Sequence, residues 1–311
     1  MNNSRNINFV LALILVFSLV LASCAPSKTP AATEAPQTTP KIVIGLSLSD
    51  LGNPFFVSIQ KGAQETADRL DATLIVVDAK NDSATQNTQI QELIEQKVSM
   101  LLINPVDSDE VGAIIQSANT AGIPVITLDR SANSGKVVSH IASDNVAGGK
   151  MAGSYLAELL EKTGNVVELE GIAGTSAAKD RGAGFNEAMT AYSNIKVVAH
   201  EVADFDRAKA KEVFSKLLTE QPEINGVFAH NDSMILGAID AAQEAERKDI
   251  IFIGFDAIDE AVQAVESGAL SATVAQQPIE IGRLGVETAI KYLNGETVPE
   301  LIPVELALVH K

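Results

Sequence analysis

Polar and aromatic side chains recur in this chain where its predicted strands end. The stretch DLGNPFFVSI, residues 50–59, places Asn53, Phe55 and Phe56 between a buried apolar run and the start of a helical pattern. Comparable positions after later apolar runs hold Asn104, Asp129, Arg130, Arg181, Phe205, Asn231, Phe255, Asp256 and Gln276. In open α/β sheets ligands bind beyond the carboxyl ends of the strands, because loops and helix N-termini meet there. These residues are therefore candidate ligand-binding residues.

The chemistry of this set suits a sugar. Carboxylates accept hydrogen bonds from hydroxyl groups, whereas Arg and Asn side chains donate to hydroxyl and ring oxygens, and charged partners make the stronger bonds. The apolar C–H faces of a sugar ring pack against aromatic rings. A neutral ligand also fits a set in which Arg130 and Arg181 are balanced by Asp129 and Asp256.

Each of these residues taken alone has a purely structural explanation. Asn53 could cap the helix that follows it. Phe56 continues an apolar helical stripe, so burial in the core and contact with a ligand are equally open for it. Asp129 and Asp256 could be ordinary turn residues at strand ends. Phe205, flanked by aspartates in ADFDR, has no evident core to join. The joint pattern at many strand ends favours a binding site.

The elements that must position these side chains alternate between short apolar strands and amphipathic helices. Most strand candidates are continuous apolar runs, as expected when helices cover both faces of a parallel sheet. The candidates are 41–48, 73–79, 100–105, 124–129, 137–143, 165–171, 195–202, 226–230, 250–256 and 271–276. Repeated βα units predict an α/β fold with doubly wound parallel sheets. The length of 311 residues favours two such domains, divided near Ser143.

Charge and composition exclude several classes of function. The formal net charge of −17 repels phosphate backbones, so no nucleic-acid partner is expected. A single cysteine excludes a disulfide framework. The histidines lie far apart and lack zinc-ligand spacing, so neither a metal site nor a cofactor is expected; they are His140, His200, His230 and His310.

The N-terminus carries an export signal. Arg5 precedes a 14-residue apolar run that is too short to span a bilayer comfortably and is typical of a secretory signal peptide. The run ends in LASC, residues 21–24, which resembles the lipobox of bacterial lipoproteins. This implies a signal peptide over residues 1–23 and lipidation of Cys24, with ordinary signal cleavage and an incidental cysteine as the alternative. The Pro- and Thr-rich residues 24–40 predict a flexible tether.

Eight segments resemble, in order and with compatible spacing, the ribose-binding proteins of bacterial ABC importers. They are NPFFVS, LLINPVDSD, PVITLDR, VVSHIASDN, ELEGIAGTSAA, ADFDR, GFD and ATVAQQP. The resemblance implies a periplasmic-binding-protein type I fold, in which two Rossmann-like lobes flank a ligand cleft. Three crossings would join the lobes, near Ser143–Asp144, Gln276–Gln277 and Glu305–Leu306. The N-terminal lobe would comprise 41–143 and 277–305, and the C-terminal lobe 144–276 and 306–311.

The resemblance also implies roles for single residues. The N-terminal lobe would contact the sugar through Asn53, Phe55, Phe56, Asn104, Asp129 and Arg130. The C-terminal lobe would contribute Arg181, Phe205, Asn231 and Asp256, with Phe255 stacking and Gln276 at the hinge. The two adjacent phenylalanines would then face the cleft on one side of the sugar. One departure is His230, which stands where a typical member has Gln, and its effect is left open.

The function implied is capture of a monosaccharide, D-ribose above all, by domain closure, with delivery to a membrane permease. The protein would be exported and anchored by lipid at a bacterial cell surface or in the periplasm, with no other membrane contact. Nothing in the sequence demands more than a monomer, and a chemoreceptor is a further partner to consider.

Other functions are alternatives. Allose, galactose or autoinducer-2 could be the ligand, although galactose-type members generally stack the ring on Trp, which this chain lacks. A sugar-sensing receptor component is a second alternative. A transcription repressor of the same fold would need a helix-turn-helix where the export signal stands. No G-x-S-x-G, H-E-x-x-H or P-loop motif is present, so no catalytic residues are predicted. Asp129 and Asp256 could imitate a glycosidase pair, but their neighbours fit ligand binding better.

Overall fold

The computed structural model describes residues 41–221 and 223–311, which contain two six-stranded sheets. The predicted signal peptide, Cys24 and the tether lie outside the described residues. The strands are β1 Val43–Leu48, β2 Thr73–Asp78, β3 Met100–Ile103, β4 Val125–Leu128, β5 Ser139–Ser143, β6 Gly164–Glu170, β7 Ile195–Val202, β8 Ile224–Ala229, β9 Ile251–Asp256, β10 Ala272–Ala275, β11 Leu301–Val304 and β12 Ala307–His310.

Helices alternate with these strands. They are α1 Pro54–Arg69, α2 Ser83–Glu95, α3 Gly112–Thr120, α4 Asn145–Leu159, α5 Ser176–Met189, α6 Arg207–Glu220, α7 Asp232–Glu244, α8 Asp259–Ser267 and α9 Pro278–Leu293. Several begin at a side chain that accepts a hydrogen bond from the first turn, as α1 does at Asn53 and α4 does at Asp144, which directly follows β5. Within the described ranges no helix has the length and apolarity needed to cross a membrane.

The two sheets have the same construction. The first has the strand order β11-β5-β4-β3-β1-β2, with all pairs parallel. The second has the order β12-β10-β9-β8-β6-β7, in which only β12 pairs antiparallel, with β10. Five consecutive strands thus form the body of each sheet, and the last two strands of the chain add one edge to each. The predicted fold class, α/β with two doubly wound lobes, is confirmed.

The two edge strands β11 and β12 are absent from the strands predicted from the sequence. Each is four residues long with two of the four exposed, so neither shows a buried apolar run. Pro303 lies inside β11, and a proline argues against a central strand because it cannot donate a ladder hydrogen bond. At the edge of the first sheet this loss is tolerated.

Helices cover both faces of each sheet and enclose separate cores. In the first lobe α1 and α9 pack on one face, around Phe55, Ile59 and Ile281, while α2 and α3 cover the other. In the second lobe α4 and α5 cover one face, and α6, α7 and α8 cover the opposite one. This sandwiching explains why the strands read as continuous apolar runs. Because helices cover both faces, the carboxyl ends of the strands remain accessible in both sheets, and the polar residues lie there.

Candidate ligand-binding site

Residues from both lobes line one small cavity at the carboxyl ends of the strands. The cavity contains about 240 Å³ of space not filled by atoms, counted out to where it opens to solvent. Its lining residues are Asn53, Phe55, Phe56, Asp129, Arg130, Ala177, Arg181, Phe205, Asn231 and Asp256. All but Ala177 belong to the set selected from the sequence. A larger groove beside Asn119, Lys136 and Tyr292 lies away from these strand ends.

Four charged side chains dominate the cavity, and all are buried. Asp129, Arg130 and Arg181 are each 3% exposed and Asp256 is 6% exposed. Arg130 Nε lies 3.8 Å from Asp129 Oδ2 in the first lobe, and Arg181 Nη1 lies 3.5 Å from Asp256 Oδ1 in the second. Each lobe therefore contributes one cation and one anion. This matches the expected balance and makes the lining neutral overall.

Burial sets the protonation of this group. It raises the pKa of Asp256 to about 6, although the nearby Arg181 guanidinium opposes the shift. The pKa of Asp129 is also raised by burial, with Arg130 opposing. Burial lowers the pKa of Arg130 to about 10, and Asp129 counters it. These directions all mean that loss of water penalises the charged forms more than their mutual attraction repays.

Some polar atoms at the cavity have no hydrogen-bond partner among residues 41–221 and 223–311. They are Asp129 Oδ1, Arg130 Nε and Gln276 Oε1, each fully shielded from solvent. A buried polar atom without a partner carries a desolvation cost of about 1–3 kcal/mol. A hydroxyl group can donate to either oxygen and accept from the guanidinium. A small polyhydroxylated ligand in the cavity would therefore satisfy the two atoms of this set that belong to the lining, Asp129 Oδ1 and Arg130 Nε.

Two of the predicted residues lie behind the lining and hold its carboxylates. Asn104 Nδ2 donates to Asp129 Oδ2 at 3.0 Å, and Gln276 Nε2 donates to Asp256 Oδ1 at 2.9 Å. Each amide stands directly after a strand, Asn104 after β3 and Gln276 after β10. Their direct contact with a ligand stays a prediction.

Phe255 also lies behind the lining. Its ring is fully buried in the core between α4 and α5 and the second sheet, and Arg181 Cζ lies 3.8 Å from the ring centroid. In the structure this ring therefore supports the guanidinium from below. Its predicted stacking on a sugar stays a prediction.

Arg181 is held on its other sides by two groups. Its Nε donates to Asn145 Oδ1 at 2.8 Å, and its Nη1 donates to the His230 carbonyl oxygen at 2.6 Å. The backbones of α4 and α5 approach closely here: a Cβ on Gly149 would lie 2.0 Å from the Arg181 carbonyl oxygen. Asn145 follows the fifth strand in the sequence but was not selected as a site residue, because its link to Arg181 depends on this helix contact.

The aromatic lining joins the two lobes. Phe55 and Phe56 meet edge to face with centroids 5.3 Å apart. The Arg130 guanidinium lies between two rings, 5.3 Å from the centroid of Phe56 and 5.1 Å from that of Phe205 in the other lobe. Phe56 also belongs to the core of the first lobe, so the core interpretation is correct, and its contact with a ligand stays a prediction. The expectation that Phe205 has no core to join is wrong, because it packs against the core beneath α6 and α7.

Three lining residues adopt left-handed backbone conformations that non-glycine residues rarely adopt. The φ angles are 62° at Asp129, 60° at Phe205 and 115° at Asp256. Such conformations carry strain and concentrate at functional sites, where the surrounding structure imposes them. Here they turn the chain sharply at the end of a strand or before a helix. The side chains thereby point into the cavity rather than along the sheet.

The two asparagines in the lining also serve as helix caps. Asn53 Oδ1 accepts a hydrogen bond from the Phe55 amide at 3.0 Å, and Asn231 Oδ1 accepts one from the Met234 amide at 2.9 Å. The capping explanation for Asn53 is thus correct, and it is compatible with a place in the lining. Capping fixes the oxygen of each amide group, and Asn231 Nδ2 also donates to the Phe205 carbonyl oxygen at 3.4 Å, which leaves one of its two N–H bonds to meet a ligand.

The fold and the cavity agree with comparisons to known proteins. The family model described as periplasmic binding protein domain matches residues 44–297. The chain is a periplasmic binding protein. It is 48% identical over 291 residues to the ribose import binding protein RbsB of Escherichia coli, covering 94% of this chain and 98% of the relative. It is 44% identical over 299 residues to the ribose import binding protein RbsB of Bacillus subtilis, covering 96% and 97%.

A solved structure supports the same assignment. A periplasmic solute-binding protein of an ABC transporter from Actinobacillus succinogenes, with bound D-allose, superposes with a TM-score of 0.83 at 32% identity, covering 87% of this chain and 98% of that one. These relatives are binding proteins of importers and not enzymes. The predicted family and the exclusion of an enzyme are therefore confirmed, and the glycosidase interpretation of the two aspartates is set aside.

In this periplasmic binding protein the two lobes also touch directly beside the cavity. The Ser108 amide donates to the Gly174 carbonyl oxygen at 3.1 Å, and the Ser176 amide donates to Ser108 Oγ at 3.0 Å. The Ser131 amide in turn donates to Ser176 Oγ at 2.9 Å. Hydrogen bonds between the protein's own lobes thus accompany the closed arrangement of the cleft.

His230, which departs from the residue type implied by the resemblance, does not line the cavity. Its ring nitrogen Nδ1 accepts from the Gly171 amide at 3.3 Å, which leaves Nε2 to donate to Glu168 Oε1 at 2.8 Å. Only its carbonyl oxygen approaches the site, through Arg181. The imidazole therefore fixes the position of His230 against β6, and the His230 carbonyl oxygen in turn holds Arg181.

Proposed function

We propose that the protein binds D-ribose between its lobes and delivers it to the permease of an ABC importer. The observation that carries this proposal is the buried, neutral set of two carboxylates and two guanidinium groups with unpartnered atoms at Asp129 Oδ1 and Arg130 Nε. Alternating donors and acceptors of this kind fit adjacent hydroxyl groups. The similarity to two ribose import binding proteins supports ribose in particular.

All of the residues selected from the sequence are proposed to serve this site. We infer direct contact with the sugar for the nine that line the cavity, and support of the charged groups for the remaining three, Asn104, Phe255 and Gln276. The aromatic rings of Phe55, Phe56 and Phe205 would pack on the C–H faces of the sugar, while the charged groups bind its hydroxyls.

Capture is proposed to proceed by closure of the two lobes, 41–143 with 277–305 and 144–276 with 306–311. Each lobe carries half of the site, so a sugar that contacts both halves favours the closed form by its differential contacts. The three crossings near residues 143–144, 276–277 and 305–306 would act as the hinge. An epimer would leave a buried charged group unpaired, and this mismatch is the source of selectivity.

Calorimetric titration of the purified protein with D-ribose tests the proposal. The comparators are allose, which is the sugar bound in the solved relative, together with galactose, xylose and arabinose. Ribose should bind with micromolar or tighter affinity and raise the melting temperature. Arg181→Ala should abolish binding, whereas the control Arg69→Ala, which removes an exposed ion pair with Glu287, should not change it. Binding of another sugar in preference to ribose would reassign the ligand.

We propose further that the protein is a lipoprotein anchored through Cys24 after removal of residues 1–23, and that it acts as a monomer. The LASC motif supports the first point, and the second follows because one chain supplies both half-sites. Incorporation of a labelled fatty acid in the native host, and its loss in Cys24→Ala, tests the anchor. A chemoreceptor is a further proposed partner, and it would recognise the same closed form.

A further inference from the structure

A cluster of carboxylates and imidazoles lies at one edge of the second sheet, outside the sugar cavity. Glu168 and Glu170 stand two residues apart on β6 and therefore project from the same face of the sheet. His200 lies on the neighbouring edge strand β7, directly opposite Glu168 in the strand register. The fold thus brings together residues that are 30 positions or more apart in the sequence.

The donor atoms of these three side chains are close together. His200 Nδ1 lies 2.8 Å from Glu168 Oε2 and 3.5 Å from Glu170 Oε1. All three donor atoms lie within 4.8 Å of one another. A tetrahedral zinc ion with bonds of about 2.0–2.2 Å holds its ligand atoms about 3.3–3.6 Å apart. Small side-chain rotations, without movement of the strands, would therefore bring these atoms to coordinating distance.

Burial and hydrogen bonding divide the cluster into a fixed part and an accessible part. The Glu168 side chain is fully buried, and its two oxygens accept hydrogen bonds from His230 Nε2 at 2.8 Å and Asn186 Nδ2 at 2.9 Å. The side chains of His200 and Glu170 are 44% and 35% exposed. A carboxylate oriented by outer hydrogen bonds beside two ligands that solvent can reach is the arrangement expected of a metal site with an entry path.

We propose that Glu168, Glu170 and His200 bind a divalent transition-metal ion of the Zn²⁺ class, with water completing the coordination. The imidazole favours such an ion over Ca²⁺ or Mg²⁺, which take oxygen ligands. A dication also offsets the charge of two neighbouring carboxylates, one of which is buried. His230 then has a defined place as the outer group that orients the innermost ligand. None of the three ligands lines the sugar cavity, so the site is separate from ribose capture.

Calorimetric titration of the chelator-treated full-length protein with ZnCl₂ tests the site. One ion per chain should bind with micromolar or tighter affinity. His200→Ala and Glu170→Gln should reduce the affinity for Zn²⁺ at least 100-fold, because each removes one metal ligand. Both side chains are partly exposed, so folding should not depend on them. Asn186→Ala should reduce it about 10- to 100-fold, the usual effect of losing an outer hydrogen bond.

His310→Ala is the matched control, because it removes an exposed imidazole from the same lobe that lies elsewhere, beside Tyr155. It should bind Zn²⁺ as the unaltered protein does. The melting temperatures of all variants without metal show whether each is folded. The proposal is overturned if no stoichiometric binding occurs, if His200→Ala binds as tightly as the unaltered protein, or if Ca²⁺ binds in preference to Zn²⁺. These outcomes are independent of whether the sugar is ribose.

Discussion

Gly174→Ala should weaken sugar binding by obstructing closure while leaving both lobes folded. Gly174 belongs to the second lobe, and a Cβ on it would lie 1.6 Å from Asp107 Oδ2 of the first lobe. That distance is far inside van der Waals contact, so either the aspartate or the whole lobe must move. The clash exists only where the lobes meet. The open form is therefore unaffected, and the cost falls on the closed form that holds the sugar.

The magnitude follows from what holds Asp107 in place. Its Oδ1 accepts hydrogen bonds from the amides of Asp109 at 2.8 Å and Glu110 at 3.0 Å, and turning the carboxylate away breaks both. Each such bond contributes about 0.5–1.5 kcal/mol, so the closed form loses about 1–3 kcal/mol. The affinity for the sugar should fall about 5- to 150-fold.

Calorimetry on Gly174→Ala, Asp107→Ala and the double variant measures this effect. In the double variant the clash is gone, so Gly174→Ala should cost little against an Asp107→Ala background. Small-angle scattering at a sugar concentration that saturates the unaltered protein but not the single variant should show the variant more open. An undiminished affinity in Gly174→Ala, or an equal loss in both backgrounds, would refute the idea that the two lobes meet at Gly174 when sugar is bound.

Three further predictions concern the cavity. Asp129→Asn should weaken ribose binding about 10- to 150-fold, because a hydrogen bond to a buried carboxylate contributes about 1.5–3 kcal/mol; calorimetry with Asp68→Asn as the exposed control checks this. Sugar hydroxyls bind the ionised form of Asp256, whose pKa burial raises to about 6, so the affinity should be full well above pH 6 and fall as the pH drops through 6; titration at several pH values would contradict this if the affinity stayed constant from pH 7 to 5. In Gly171→Ala the new Cβ would lie 2.1 Å from Phe205 Cζ. Denaturant unfolding should show that the free energy of unfolding falls by about 1–3 kcal/mol, and calorimetry should show weaker sugar binding. An unchanged free energy of unfolding and an unchanged affinity would show that the ring has room to move.

The sequence predicted those parts of the site that depend on strand ends alone. Asn53, Asp129 and Asp256 could be selected because parallel strands bring their carboxyl ends to one edge, whatever the details of packing. The support beneath them could not be predicted in the same way. The contact of Arg181 with Asn145 depends on how closely two helices approach, a distance that periodicity does not encode.

Long-range register explains the other omissions. Glu168 and His200 look unrelated in the sequence, because zinc-ligand spacing is a local pattern and these two residues belong to different strands separated by a helix. They meet because β7 pairs with β6 in a register that includes a bulge between Val166 and Val167. The strands β11 and β12 were missed for a related reason: an edge strand is defined by its neighbour in space, and Pro303 makes the local pattern unlike a strand.

The charged lining makes closure depend on the ligand. When the lobes meet, Asp129, Arg130, Arg181 and Asp256 lose their water, and the shifts in the pKa of Asp256 and Arg130 show that mutual pairing does not repay this loss. The hydrogen bonds between the lobes, such as that from Ser108 to Gly174, favour closure in every case. A polyhydroxylated ligand supplies the partners that water supplied in the open form. In the proposed mechanism the sugar therefore shifts the balance toward closure, so that the closed surface presented to a permease would report that the site is filled.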